Sequence, residues 1–232
     1  IIIKYMFSKI TELLINNYDI QNTFLRDNEI TNLFNHLNSF NIQYSDLNIN
    51  YRQNVNNHAL ENVSNFIKSS QIINDVKSLR NEIIITIKVL NTNVTIRIFH
   101  LNDVSDNLIN FLIYVVSFVI IICKHNIKDI EIIYYLSNHK KIMNTPYLKK
   151  ENINSGYCNN ISPTKSKIVI YRREEILKVT IHEMIHALHQ DSYSRNNSYK
   201  MNDFYNDKYN IQIDKTNINE AYTEIWAELI HC

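Results

Sequence analysis

The sequence has very few of the residues that usually interrupt helices and strands. Its 232 residues include one glycine and two prolines, while asparagine and isoleucine together make up about a third of the chain. Asparagine must therefore form turns that glycine and proline usually share. The skew is typical of AT-rich codon usage and carries little information about function. Its consequence is that turns are harder to predict from this sequence.

Cysteine is also scarce. The three cysteines are widely spaced and form no CxxC pair: Cys123, Cys158 and Cys232. An odd and scattered set does not predict a disulfide framework, so a reducing compartment is favoured. We therefore expect an intracellular or virion-associated location rather than secretion. The chain opens on Ile1 instead of methionine, as a fragment would, which leaves an earlier signal peptide open.

Charge of one sign is missing as well. The chain has 24 basic against 23 acidic residues, without a long basic run, so nucleic acid is not predicted as a partner. The hydrophobic fraction of 45% is sufficient for a core. The length suits one domain of ordinary size, or one domain with a helical extension.

One long apolar run is present, "LINFLIYVVSFVIIIC" at residues 108–123. It has roughly 16 residues, whereas a membrane-spanning helix needs ~20. Asp103 and Asp106 precede it, and Lys124 and His125 follow. The run predicts a helix buried within the domain, and a membrane is an unlikely partner. A peptidase anchored in the membrane by this run is the alternative.

The hydrophobic pattern of the chain changes near residue 81. Residues 1–80 carry polar sequence with helical spacing, interrupted by an Asn-rich predicted loop at 41–57, and predict a helical region that acts as a cap, propeptide or interaction region. Residues 81–232 predict a second region of α+β class. Its predicted elements, in order, are a hairpin, the apolar helix, a strand at 129–137, a loop around Gly156, a short strand at 166–172, a helix, a Tyr-rich loop with short helical pieces at 196–214 and a final helix.

The predicted helix after residue 172 contains "VTIHEMIHALHQD", residues 179–191. His182 and His186 lie one turn apart on one face, so both imidazoles can reach one cation at Zn–N distances of about 2.0–2.1 Å. Glu183 is displaced by one position and can lean over the open side of the ion. Two ligands beside a general base are the chemical content of the H-E-x-x-H pattern.

A catalytic zinc ion usually takes three protein ligands. The metzincin arrangement needs glycine and histidine three and six residues after His186, where this chain has His189 and Ser192, so that arrangement is excluded. His189 shares the face of the histidine pair, but three ligands from one helix would have to span two turns. We predict that His189 lies beside the site without binding the ion, or in solvent.

The third ligand is predicted in "NEAYTE", residues 219–224. Glu220 can project from the final helix toward the histidines, and Glu224, one turn later, can accept the second ring N–H of a ligand histidine. The alternative is a solvated acidic stripe made of Glu220, Glu224 and Glu228. His231 shares this face, but about three turns separate it from Glu220, which is too far for a fourth ligand.

"HEMIH" followed by "NEAYTE" resembles the gluzincins, zinc peptidases of the thermolysin kind. The resemblance implies a zincin-like domain, a small mixed sheet with a backing helix, a helix carrying H-E-x-x-H and a helix carrying a glutamate ligand. It implies His182, His186 and Glu220 as zinc ligands, Glu183 as the base and Glu224 as the carboxylate that holds a ligand histidine. The family's edge strand, which pairs with an extended peptide, would be "KIVIYR" at residues 167–172.

The chain departs from the family in its longer ligand spacing and in ending soon after the second helix. An oxyanion donor must come from elsewhere, and Tyr209 ranks first because it closely precedes the final helix. The other candidates are Tyr193, Tyr199, Tyr205 and Tyr222. The expected function is a metallopeptidase with one zinc ion per chain and a peptide or protein substrate. A catalytically inactive zincin-fold structural or interaction protein is the alternative.

Overall fold

The structure is a computed structural model of the chain. Residues 44–231 form one compact unit. The predicted helical segments within residues 1–43 lie outside the residues that the structure describes. The described residues are 45–53, 70–141, 154–191, 198–210 and 218–231.

A six-stranded mixed sheet organises the unit, so the predicted α+β class is confirmed. The spatial order is β1-β2-β3-β4-β6-β5. The β1–β2, β2–β3 and β5–β6 pairs are antiparallel, and the β3–β4 and β4–β6 pairs are parallel. The strands are β1 (Ser45–Arg52), β2 (Asn81–Val89), β3 (Thr92–His100), β4 (Asp129–Tyr135), β5 (Gly156–Ser162) and β6 (Lys165–Ile170).

The β2–β3 hairpin follows the prediction, with a shorter turn. Val89 pairs with Thr92, so two residues form the turn. Leu90 adopts a left-handed conformation with φ 53° and is 66% exposed. Left-handed backbone is unfavourable for residues with a Cβ, and a turn of this length usually contains asparagine or glycine there. The scarcity of glycine is thus visible in the fold.

Helices cover both faces of the sheet. Helix α1 (Ser70–Ser78) packs Ile72 and Val76 against Phe99 and Tyr135, in a cluster on one face. Successive strand residues point to opposite faces, so the neighbour Tyr134 points to the other face. There its hydroxyl lies 3.0 Å from Thr180 Oγ1, which belongs to helix α3 (Ile176–Ala187).

Helix α2 (Asp106–Ile122) is the predicted buried helix of the apolar run. Ser105 caps it by accepting a hydrogen bond from Leu108 N–H, and its middle turns are buried, where they contact α3. Within the described ranges, no helix is both long enough and apolar enough to cross a bilayer. Helix α4 (Ser198–Tyr209) and helix α5 (Ile218–His231) follow, and α5 packs against α3.

Three predictions about organisation are wrong. The predicted loop at 41–57 contains strand β1, and β1 and α1 belong to the unit of residues 44–231. The predicted loop around Gly156 contains strand β5. The segment "KIVIYR" is not an edge strand, because β6 has β4 on one side and β5 on the other. The Tyr-rich segment, predicted as a loop with short helical pieces, contains the 12-residue helix α4.

Candidate metal centre and its cleft

Helix α3 carries the histidine pair on a rigid support. Thr180 and Ile181 are buried against the sheet side, and Ser166 Oγ donates a hydrogen bond to Ala187 O at 3.0 Å. These contacts fix both ends of the helix relative to the sheet. His182 and His186 then point the same way, with their Nε2 atoms 3.2 Å apart.

Each histidine of the pair has a carboxylate at its other ring nitrogen. His182 Nδ1 lies 3.0 Å from Glu224 Oε2, and His186 Nδ1 lies 3.0 Å from Asp191 Oδ2. A carboxylate at Nδ1 favours the proton there, which leaves the Nε2 lone pair available as a metal ligand. Both rings therefore present the nitrogen that a cation needs.

Glu220 on α5 completes a group of three candidate ligands. Its Oε2 lies 3.4 Å from His182 Nε2 and 3.5 Å from His186 Nε2. Tetrahedral zinc with bonds of about 2.0–2.1 Å holds its ligand atoms about 3.3 Å apart. The three measured edges, 3.2, 3.4 and 3.5 Å, match that spacing, so the residues fit a zinc ion. Two imidazoles and one carboxylate also form a donor set of catalytic zinc sites.

The charges of this group are strongly coupled. Hydrogen bonds to His182 and His186 hold the pKa of Glu220 well below its usual value. Burial alone lowers the pKa of His186, but the hydrogen bonds with Asp191 and Glu220 outweigh it and raise that pKa to about 9. Negative charge from the carboxylates of Asp191 and Glu220 therefore converges on the His186 ring, where a cation would offset it.

Glu183 lies next to this group in an apolar environment. It is 7% exposed and lines the cleft described below. Burial raises the pKa of Glu183 to about 7, although the nearby histidines His182 and His186 lower it in part. A carboxylate with a pKa near neutrality can both accept and return a proton at physiological pH.

A cleft of about 870 Å³ opens between β5 and helices α3 and α5. Gly156, the one glycine of the chain, lies where β5 approaches α3. A Cβ there would lie 2.9 Å from Val169 O and 2.9 Å from Val179 Cγ1, so only glycine fits without displacement. Further along, Asn160 Nδ2 donates to His186 O at 3.5 Å. Strand β5 and helix α3 therefore run side by side in the same direction.

Strand β5 is at the end of the sheet that the described residues form. Among the described strands its one neighbour is β6, where Tyr171 N–H donates to Ser155 O at 2.9 Å. Because bonding alternates along an antiparallel ladder, Gly156 and Cys158 direct their backbone N–H and C=O groups away from β6. The Gly156 backbone groups are thus directed toward the side on which a further strand would pair with β5.

Helix α5 is joined to α3 by small residues and by one lysine. Thr223 and Ala227 are fully buried on its inner side. Lys178, one turn before His182, contacts Glu224 and also lies 2.7 Å from Glu228 Oε1. Burial alone lowers the pKa of Lys178, but these two carboxylates outweigh it and raise the pKa to about 12. Lys178 thus stays charged and holds the carboxylate that orients His182.

The structure brings five of the sequence-predicted site residues together: His182, Glu183, His186, Glu220 and Glu224. His189 follows the end of α3 in a left-handed conformation with φ 57°, and it does not line the cleft. His231 is exposed on α5 and does not line the cleft either.

The structure does not bring Tyr209 to the cleft. It ends α4, is 56% exposed, and its ring contacts Lys208. Tyr222 is 38% exposed and packs against Trp226 away from the cleft. The side chains of the other candidates lie outside the described part of the chain: Tyr193, Tyr199 and Tyr205.

Asp191 and Lys178 were not predicted from the sequence as residues of the site. Asp191 lies five residues after His186, a spacing that no regular helix brings into contact, so periodicity gave no signal for it. Lys178 was detectable only as a basic residue one turn before His182, on the face that meets α5.

Comparisons of the chain with protein-family models, with curated proteins and with solved structures found no match.

Proposed function

We propose that the protein is a zinc-dependent metallopeptidase of the gluzincin type, with a zincin-like domain that binds one zinc ion per chain. The observation that carries the proposal is the spacing of His182 Nε2, His186 Nε2 and Glu220 Oε2, all within 4.8 Å of one another. Glu183 beside them supplies the candidate base, and β5, which lines the same cleft, supplies a strand with which a peptide could pair.

In the proposed reaction, the metal would supply Lewis acidity and the side chains of the protein would move the proton. A zinc ion held by the three ligands supplies Lewis acidity, which polarises a carbonyl and lowers the pKa of water. The Glu183 carboxylate takes a proton from the attacking water and gives it to the leaving amine nitrogen. Burial raises the pKa of Glu183, which favours return of the proton, and Glu224 lies where it would orient the His182 ring.

The proposed substrate is an extended peptide that adds to the outer edge of β5, not to the segment predicted from sequence. Backbone hydrogen bonds with Gly156 would bind it with little dependence on side chains. An antiparallel peptide enters with its N-terminal part near Asn160. Because such a peptide runs opposite to β5, its C-terminal part would lie near Gly156, at the end of the cleft that Lys141 also lines.

The direct test replaces the base and keeps the ligands. We expect Glu183→Gln to bind zinc as the parent does but to lose about 10²–10⁴-fold in kcat on a peptide library. Glu174→Gln is the matched control, because Glu174 is an exposed glutamate outside the cleft on the same segment. Equal cleavage by Glu183→Gln and the parent would refute the assignment. Zinc binding by the parent without turnover would favour the inactive zincin-fold protein.

A further inference from the structure

The end of helix α3 has a defined capping geometry. His189 has φ 57°, its N–H donates to His186 O at 3.0 Å, and Gln190 N–H donates to Ile185 O at 3.0 Å. This pair of bonds around a left-handed residue is a Schellman motif. Glycine usually occupies the left-handed position, and here a histidine does, which costs backbone strain.

The turn returns the chain to the helix that it has just left. Asp191, two residues after His189, is 1% exposed, and its Oδ2 reaches His186 Nδ1 at 3.0 Å. A buried carboxylate without a partner would cost several kcal/mol, so its place beside an imidazole N–H is a specific arrangement. The contact is made within α3 and its cap, and it does not involve α5.

The two orienting carboxylates therefore differ. The Glu224 side chain is 46% exposed, belongs to α5 and is shared with Lys178. The Asp191 side chain is 1% exposed. His186 keeps its buried carboxylate whatever position α5 takes, whereas His182 depends on the contact between two helices.

From this geometry we infer that Asp191 is the positioning residue of His186. It holds the proton on Nδ1, so that Nε2 is the ring nitrogen that would bind a zinc ion. The left-handed turn at His189 is the device that places it. The inference rests on the proposed function only in taking zinc as the ion, and it concerns binding rather than turnover.

The test measures zinc affinity by competition with a chromophoric chelator. We expect Asp191→Asn to weaken zinc binding about 10–100-fold, with partial recovery in Asp191→Glu. The matched control is Asp129→Asn, since Asp129 is an exposed aspartate on β4, away from the cleft. Asp191→Ser replaces the asparagine variant if that variant does not fold.

A second readout separates orientation from simple loss of stability. In the zinc-loaded parent, the His186 Nδ1 proton should give a downfield, slowly exchanging NMR signal, because it is hydrogen-bonded to a buried carboxylate. That signal should move upfield or vanish in Asp191→Asn, while the His182 signal stays. Zinc affinity within twofold of the parent and an unchanged His186 signal would overturn the inference. Failure of the parent itself to bind zinc would refute the proposed function instead.

Discussion

Helices α3 and α5 both supply candidate ligands, but the fold holds them differently. The histidine side chains of α3 are 18% and 9% exposed, and the helix is fixed between the sheet and α2. The Glu220 side chain of α5 is 50% exposed. Inside, α5 rests on Thr223 and Ala227, while Ile225 and Leu229 on its outer side are 60% and 50% exposed. The two candidate histidine ligands are thus on a helix of the core, whereas the candidate glutamate ligand is on a helix that packs against it and leaves one side exposed.

This difference suggests an order of events in metal binding. The α3 half, with Asp191 at His186, is formed by packing alone and needs no ion. The α5 half packs on α3 through Thr223 and Ala227 and is held by Lys178, and its candidate ligand Glu220 is half exposed, so a bound ion would add to its attachment. A ligand that binds only the assembled form stabilises that form by mass action.

The largest expected effect comes from removing the ligand on α5. Glu220→Gln keeps the size of the side chain but loses its charge, and we expect zinc affinity to fall by more than about 100-fold, beyond the loss for an orienting residue. Chelator competition measures the change. Circular dichroism should show an intact fold, because Glu220 is half-exposed.

Glu131→Gln is the control for that variant, since Glu131 forms ion pairs with Arg97 and Lys167, away from the cleft. Its zinc affinity should match that of the parent. Unchanged affinity in Glu220→Gln would mean that the acidic residues of α5 are the solvated stripe considered from the sequence.

Removal of the metal should increase the mobility of α5 more than that of α3. We expect chelation to increase amide hydrogen exchange in α5, by up to about 100-fold relative to the state with free zinc at 100 times Kd. Exchange in α3 should change little, because its contacts with the sheet remain. Equal changes in both helices, or a change confined to α3, would contradict the comparison. Hydrogen exchange with mass spectrometry gives both values in one experiment.

The smallest expected effect concerns the lysine between the helices. In Lys178→Met the contacts with Glu224 and Glu228 are lost, but both carboxylates are nearly half exposed and screened by solvent. We expect zinc affinity to fall by about 2–5-fold, equivalent to ~1 kcal/mol or less. Lys167→Met, which removes an ion pair with Glu131 on the sheet, should leave zinc affinity unchanged. A large loss in Lys178→Met would show that α5 depends on this contact more than on the ion.

The sequence could predict the parts of the fold in which apolar residues alternate as in a strand or form a long continuous run. The hairpin of β2 and β3 alternates isoleucine and valine with polar residues, and α2 is apolar throughout. Strand β1 reads "SDLNINYR", in which three apolar residues alternate with polar ones but the asparagines favour a loop, and β5 reads "GYCNNIS", which carries little alternation. They are strands because an adjacent strand offers its edge, which is a tertiary cause that local sequence does not contain.

The same division applies to the candidate site. His182, Glu183 and His186 were predictable because helical geometry fixes their relation, and Glu220 and Glu224 because they share one face of α5. Asp191 was not, because a left-handed residue in the cap places it. The preference for Tyr209 as oxyanion donor remains a prediction that its exposed position does not support.

X-ray absorption at the zinc edge tests the central claim most directly, on protein loaded with one equivalent of zinc. The account predicts two imidazole nitrogens and a carboxylate oxygen in a shell at about 2.0–2.1 Å, without sulfur. In Glu220→Gln the oxygen contribution should change while both imidazoles remain. A sulfur shell at about 2.3 Å, a shell without imidazole, or zinc too weakly held to measure would contradict the account.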